Sequence, residues 1–83
     1  MKVFILKNCP HCIRAMDYIK QLKEEDKYRN IDIEYIDEAI DSELADSYDY
    51  YYVPSFFDGD KKLHEGTINK EQVRKLLDDY IGG

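Results

Sequence analysis

The sequence predicts an α/β fold, a four-stranded mixed sheet flanked by three helices in the order β-α-β-α-β-β-α. Three observations carry this. A short, continuous apolar run opens the chain and gives way at Pro10 to a helical repeat. A second β-prone run follows, completing a strand–helix–strand unit. The chain closes with an Asp-Gly hairpin signal and a strongly amphipathic helix. Each helix has one apolar stripe to bury, and a sheet packed between them accommodates all three.

Taken in order, Val3, Phe4, Ile5 and Leu6 form a strand without polar alternation, as expected of one covered on both faces. From Pro10, the residues Cys12, Ala15, Met16, Ile19 and Leu22 recur at helical spacing, with Arg14, Lys20, Lys23 and Glu24 on the other side. Pro10 suits the first helical position, where a missing N–H costs nothing. This pattern predicts a helix reaching about Tyr28. Ile31, Ile33, Tyr35 and Ile36 make the second strand. A weaker helix is expected near 39–48, with Ile40, Leu44, Ala45 and Tyr48 inward. Val53 to Phe57 and Lys61 to Glu65 flank Asp58-Gly59-Asp60 as a hairpin. Val73, Leu76, Leu77, Tyr80 and Ile81 form the last helix, with Asn69 as its cap, Gln72 three residues on, and Gly82-Gly83 after it.

A chain of 83 residues has room for one small domain, residues 1–83. Twelve Lys plus Arg stand against eighteen Asp plus Glu, a net charge of −6. Nucleic acid and anionic membrane would be repelled by such a surface, so neither is expected as a partner. The apolar run of Val3–Leu6 is shorter than the roughly 7–15 residues of an export signal. No stretch approaches the roughly 20 apolar residues of a membrane-spanning helix. A soluble, cytoplasmic monomer is the expectation.

Both cysteines fall in one segment, Asn8-Cys9-Pro10-His11-Cys12. Two cysteines so close in sequence close almost no loop, which argues against a structural framework. A structural zinc takes four ligands, and no second pair is present to supply them, so no metal site is expected. Disulfide exchange fits the spacing instead. It needs a thiolate that attacks and a second thiol within reach that resolves. Cys9 lies at the mouth of the predicted helix, where free N–H groups favour negative charge, and Cys12 lies within the first turn. Cys9 is therefore read as nucleophile and Cys12 as resolver, the pair cycling through a Cys9–Cys12 disulfide. Pro10, His11 and Lys7 are the candidates for tuning the thiolate, the latter two as neighbouring cations.

With a strand before it, a helix after it and Pro at its second position, the motif resembles that of glutaredoxins and short thioredoxin-like redoxins. Val53-Pro54, followed by Phe56 and Phe57, extends the resemblance over essentially the whole chain. It implies a thioredoxin fold and a dithiol–disulfide oxidoreductase that reduces protein or glutathione mixed disulfides. It also implies that Pro54 is cis and faces the cysteines, with Tyr52, Val53, Pro54, Gly66 and Thr67 contacting the substrate. No tightly bound cofactor is implied. Electrons come from glutathione, or from a flavoprotein thioredoxin-type reductase with NADPH. Disulfide-containing proteins are the implied partners.

Short length and the lack of Trp resemble glutaredoxins. Their Gly-Gly-Asp clamp for glutathione, however, is replaced by His64-Glu65-Gly66-Thr67-Ile68-Asn69, where Glu65 is expected to repel a glutathione carboxylate. Their Lys three residues before the first Cys is Leu6 here, with Lys7 one position later, and Tyr52 stands where their Thr precedes Val-Pro. Gly66 to Val73 resembles thioredoxin endings, yet Val3 occupies the place of the buried thioredoxin carboxylate, leaving Cys12 no evident proton acceptor. Tyr48, Tyr50, Tyr51 and Tyr52 approach the site from the Pro54 side and can divide between packing and an exposed lip. The periplasmic oxidant DsbA shares the Cys-Pro-His-Cys motif, which implies a potential above that of thioredoxin, about −270 mV. Two other classes compete: a glutaredoxin-like module sharing an iron–sulfur cluster between subunits, and a redox-silent adaptor.

Overall fold

Side chains that alternate along β1 (Lys2–Ile5) set the layers of the molecule. In the computed structural model, which describes residues 1–82, Val3 and Ile5 point to one face of the sheet and Phe4 to the other. On the first face Val3 and Ile5 join Phe56, Ile68 and two helices. These are α1 (Pro10–Leu22), through Cys12, Ala15, Ile19 and Leu22, and α3 (Lys70–Gly82), through Val73, Leu76 and Leu77. On the second face Phe4 meets Ile36, Phe57 and Ala45 of the short α2 (Ser42–Asp46). Burying one such large side chain contributes about 1.5–3 kcal/mol, so the strand that feeds both layers matters most.

The sheet order is β2-β1-β3-β4, with β2 (Glu34–Asp37), β3 (Ser55–Asp58) and β4 (Lys61–Glu65). β1 runs parallel to β2, with Phe4 opposite Ile36, and antiparallel to β3, with Phe4 opposite Ser55. β3 and β4 are antiparallel and shift register between Phe56 and Phe57. A central β1 with β2 and β4 at the edges, helices on both faces and the order β-α-β-α-β-β-α is the thioredoxin fold that the resemblance implies.

The hairpin turns on Gly59 and Asp60, since Asp58 pairs with Lys61. Gly59 has φ 59° while Asp60 stays in the ordinary region. Glycine at the first central position is what a turn of that hand requires. The cap of α3 is reciprocal: Gln72 N–H donates to Asn69 Oδ1 at 2.8 Å, and Asn69 N–H donates to Gln72 Oε1 at 2.9 Å.

Three expectations are corrected. The second strand begins at Glu34, so Ile31 and Ile33 precede it, because Ile31 N–H is taken by a turn bond to Tyr28 O at 3.2 Å. The first helix ends at Leu22, short of Tyr28. After Leu22 the helical positions carry Glu25 and Asp26, with nothing apolar to bury. On a continued helix Tyr28 would also point roughly 120° away from the core stripe. Instead the chain closes into tight turns, Glu25 N–H to Leu22 O at 3.0 Å and Tyr28 N–H to Glu25 O at 3.0 Å. These swing Tyr28 fully into the core, where its hydroxyl donates to Asp78 of α3 at 2.6 Å. Ile40 does not face inward: it is 81% exposed, because α2 begins only at Ser42 and Ile40 lies in the turn before it.

Replacing Asn69 with alanine is expected to lower stability by about 1 kcal/mol, the usual contribution of a side-chain cap, with Asn69→Asp nearly neutral. Thermal or denaturant unfolding of the two variants measures the difference.

Candidate active site

The end of β1 delivers the cysteine motif. Cys9 N–H donates to Leu6 O at 3.1 Å, closing a turn between strand and helix, and Ile13 N–H donates to Cys9 O at 3.0 Å, starting α1. Cys9 is the N-cap of α1 in extended conformation (φ −77°, ψ 121°), and Pro10 follows inside the helix. Cys12 is fully buried and Cys9 half-buried, both as free thiols. Leu6 N–H donates to Cys12 Sγ at 3.5 Å. The buried sulfur is thus tied to the same strand end that launches the loop.

The two thiols are driven in opposite directions. Cys9 is held below its ordinary pKa, first by the N–H of Cys12, which outweighs the opposing effect of burial, and further by the N–H of His11, the Cys12 thiol and the charge of Arg14. Its sulfur completes no ideal cap hydrogen bond, yet it faces these free N–H dipoles, and their field suffices to favour the anion. No acidic side chain sits in the first turn of α1 to oppose that field. Burial pushes Cys12 up to about 11, and the nearby Cys9 sulfur and the Glu38 carboxylate add to the shift.

The Val53–Pro54 peptide is cis, as the resemblance implies, and Pro54 is fully buried. Extending the β1–β3 register by one residue sets Pro54 beside Ile5, at the strand end from which the motif leaves. Pro54 O accepts from Gly66 N–H at 2.8 Å, which joins the two loops expected to meet substrate. Gly66 has φ 91°, a conformation that glycine adopts freely. Thr67 is exposed, and its carbonyl lies 2.9 Å from His64 Nε2.

A family model for glutaredoxins matches residues 1–62, the stretch that holds the motif, the cis-proline loop, β3 and the hairpin turn. The chain belongs to the glutaredoxin family. It is also 30% identical over 83 residues to a protein named "Probable Thioredoxin" from Methanothermobacter marburgensis, an alignment covering 98% of this chain and 94% of the relative. No solved structure matches the chain significantly.

Within this glutaredoxin-family site, the tyrosines divide as two and two. Tyr48 and Tyr50 pack on Phe4, with ring centroids at 4.8 and 5.0 Å. Tyr51 and Tyr52 are 84% and 70% exposed, ahead of Pro54. Lys7 is exposed and forms no hydrogen bond or ion pair among the described residues. The exposed His11 ring accepts from Arg14 Nη1 at 3.4 Å through Nδ1, while it is the backbone N–H of His11 that faces Cys9. Glu65 does not stand as a free repelling charge. Its carboxylate pairs with Lys62 at 2.6 Å and accepts from Tyr51 N–H and Tyr52 N–H at 2.7 and 3.0 Å.

Two neighbours of the thiols escape the sequence reading, Arg14 and Glu38, while Glu65 was singled out there only as a bare charge. Arg14 was legible, since it lies five residues after Cys9 on the helix that Cys9 caps. Glu38 had no local signal. It follows β2, bonds Ile5 O through its N–H at 3.0 Å, and accepts from Tyr50 Oη at 2.8 Å.

Titration of thiolate absorbance is expected to show two steps, Cys9 below the ordinary thiol value of about 8.5 and Cys12 near 11. Removing a positive charge disfavours a thiolate, so Arg14→Gln moves the first step up. Removing a negative charge favours one, so Glu38→Gln moves the second step down. Alkylation rates across the same pH range give an independent reading, because only the thiolate reacts.

Proposed function

We propose that this chain is a dithiol–disulfide oxidoreductase in which Cys9 attacks and Cys12 resolves. The observation that carries the reading is the contrast between the two thiols within one turn, Cys9 half-exposed at a helix start whose N–H groups lower its pKa and Cys12 fully buried with its pKa pushed up. An acid–base pair split by environment is what sequential attack requires.

In the first step the Cys9 thiolate attacks one sulfur of a substrate disulfide. A mixed disulfide forms and the other substrate sulfur leaves as a thiolate. Cys9 then no longer carries charge, and that part of the upward push on Cys12 disappears. Cys12 then gives up its proton, which the departing substrate thiolate accepts. The Cys12 thiolate attacks the Cys9 sulfur, the second substrate thiolate leaves, and Cys9–Cys12 becomes a disulfide. Two electrons pass to the substrate. An external reductant, glutathione or a thioredoxin-type reductase with NADPH, returns them.

The exposed Tyr51 and Tyr52, with Val53, Pro54, Gly66 and Thr67, form the lip against which a polypeptide disulfide is held. The favoured Cys9 thiolate stabilises the dithiol form, which raises the potential of the couple. No helix among the described residues is long and apolar enough to cross a membrane. The proposed setting is the cytoplasm, where a couple of this kind stays mostly reduced and acts as a reductant.

Cys9→Ser is expected to abolish disulfide-reductase activity, and Cys12→Ser to accumulate a mixed disulfide on Cys9 that mass spectrometry detects. Offering the oxidised protein glutathione with its reductase, and in parallel thioredoxin reductase with NADPH, identifies the electron source. The equilibrium potential is expected above about −270 mV. Retained turnover in Cys9→Ser overturns the mechanism.

A further inference from the structure

The segment ahead of the cis-proline has no strand partner, so its N–H groups must be satisfied some other way. One side chain does most of this. Glu65 Oε2 accepts from Tyr51 N–H at 2.7 Å and Tyr52 N–H at 3.0 Å, and Oε1 binds Lys62 Nζ at 2.6 Å. Lys62 reaches on to Asp49 O at 3.2 Å, and the hydrogen bond it donates to Glu65, followed by that from Tyr51 N–H, is the main reason that Glu65 ionises more readily than an ordinary glutamate. The Glu65 side chain is only 18% exposed, although both tyrosines it holds are open to solvent.

Two consecutive N–H groups and an ammonium converging on one point make a carboxylate-binding site. Here the carboxylate is supplied by the chain itself. We propose that Glu65 is a positioning and specificity-determining residue that permanently fills this site. It fixes the Tyr51–Tyr52 lip for polypeptide disulfides and denies the same donors to the carboxylate of a small disulfide such as oxidised glutathione. An internal ligand acts at high effective concentration, so a free carboxylate must displace it to bind. This inference rests on the redox reading above, and it locates substrate choice in a contact distant in sequence from both cysteines.

The test uses Glu65→Ala with insulin as the protein disulfide and oxidised glutathione as the small one. KM for insulin is expected to rise about ten-fold, the equivalent of one charge-assisted hydrogen bond, while kcat stays close to native. KM for oxidised glutathione is expected to fall. Added formate, filling the vacated site, returns both values toward native, and the ionisation of Cys9 does not move. Unchanged KM values overturn the inference, as does a raised insulin KM that formate fails to restore. If the alanine variant does not fold, Glu65→Ser, whose short side chain cannot reach the Tyr51 and Tyr52 N–H groups, is read in the same way. An unchanged ratio of the two KM values there overturns the inference. The amide proton shifts of Tyr51 and Tyr52, displaced in Glu65→Ala and restored by formate, report on the site without turnover. Failure of the redox reading is therefore distinguishable from failure of this one.

Discussion

A single peptide unit at the end of β1, between Ile5 and Leu6, joins the sheet to both halves of the site. Its carbonyl accepts from Glu38 N–H, carrying the parallel register of β1 and β2 one residue beyond the strands. Its N–H donates to Cys12 Sγ. The carbonyl of Leu6, next along, fixes Cys9 N–H. Because β1 is packed on both faces, this strand end cannot drift without disturbing two hydrophobic layers. The sulfurs inherit that rigidity.

From it follows the contrast in solvation. Cys12 stands in the row of α1 residues that faces the core, so burial alone disfavours its anion. Cys9, three residues earlier, precedes the helix and meets its free N–H groups. One turn of helix thus creates two different environments for the same side chain. The backbone dipoles contribute more than the neighbouring cations do, which is why Arg14 comes last among the influences on Cys9.

Much of this was legible in the sequence because it is local. The strand β1, the start of α1 at Pro10, the hairpin at Gly59 and the reciprocal cap of Asn69 and Gln72 each depend on residues within a few positions of one another. Where tertiary packing decides, the reading fails. The end of α1 is set by the demand of the core for Tyr28, which faces Asp78 fifty residues away. Glu65 looks like a bare charge in the sequence, and its partners become visible only once β4 is folded against the loop before Pro54. Glu38 owes its place to strand pairing, and Ile40 its exposure to a helix shorter than its apolar spacing suggests. The cis peptide at Pro54 was legible only through resemblance, since Val-Pro by itself specifies neither isomer.

The sheet leaves two margins unpaired, β2 on one side and β4 on the other. Open margins invite a neighbouring chain to add strands and start a growing fibril. β4 begins with Lys61 and Lys62, and β2 is only four residues long and begins and ends in acid, at Glu34 and Asp37. A copy docking β4 on β4 in parallel register would set ammonium against ammonium, and β2 on β2 would set carboxylate against carboxylate. The same Lys62 that steadies the lip through Glu65 thereby also discourages polymerisation, so crowding the chain in solution need not consume it as aggregate.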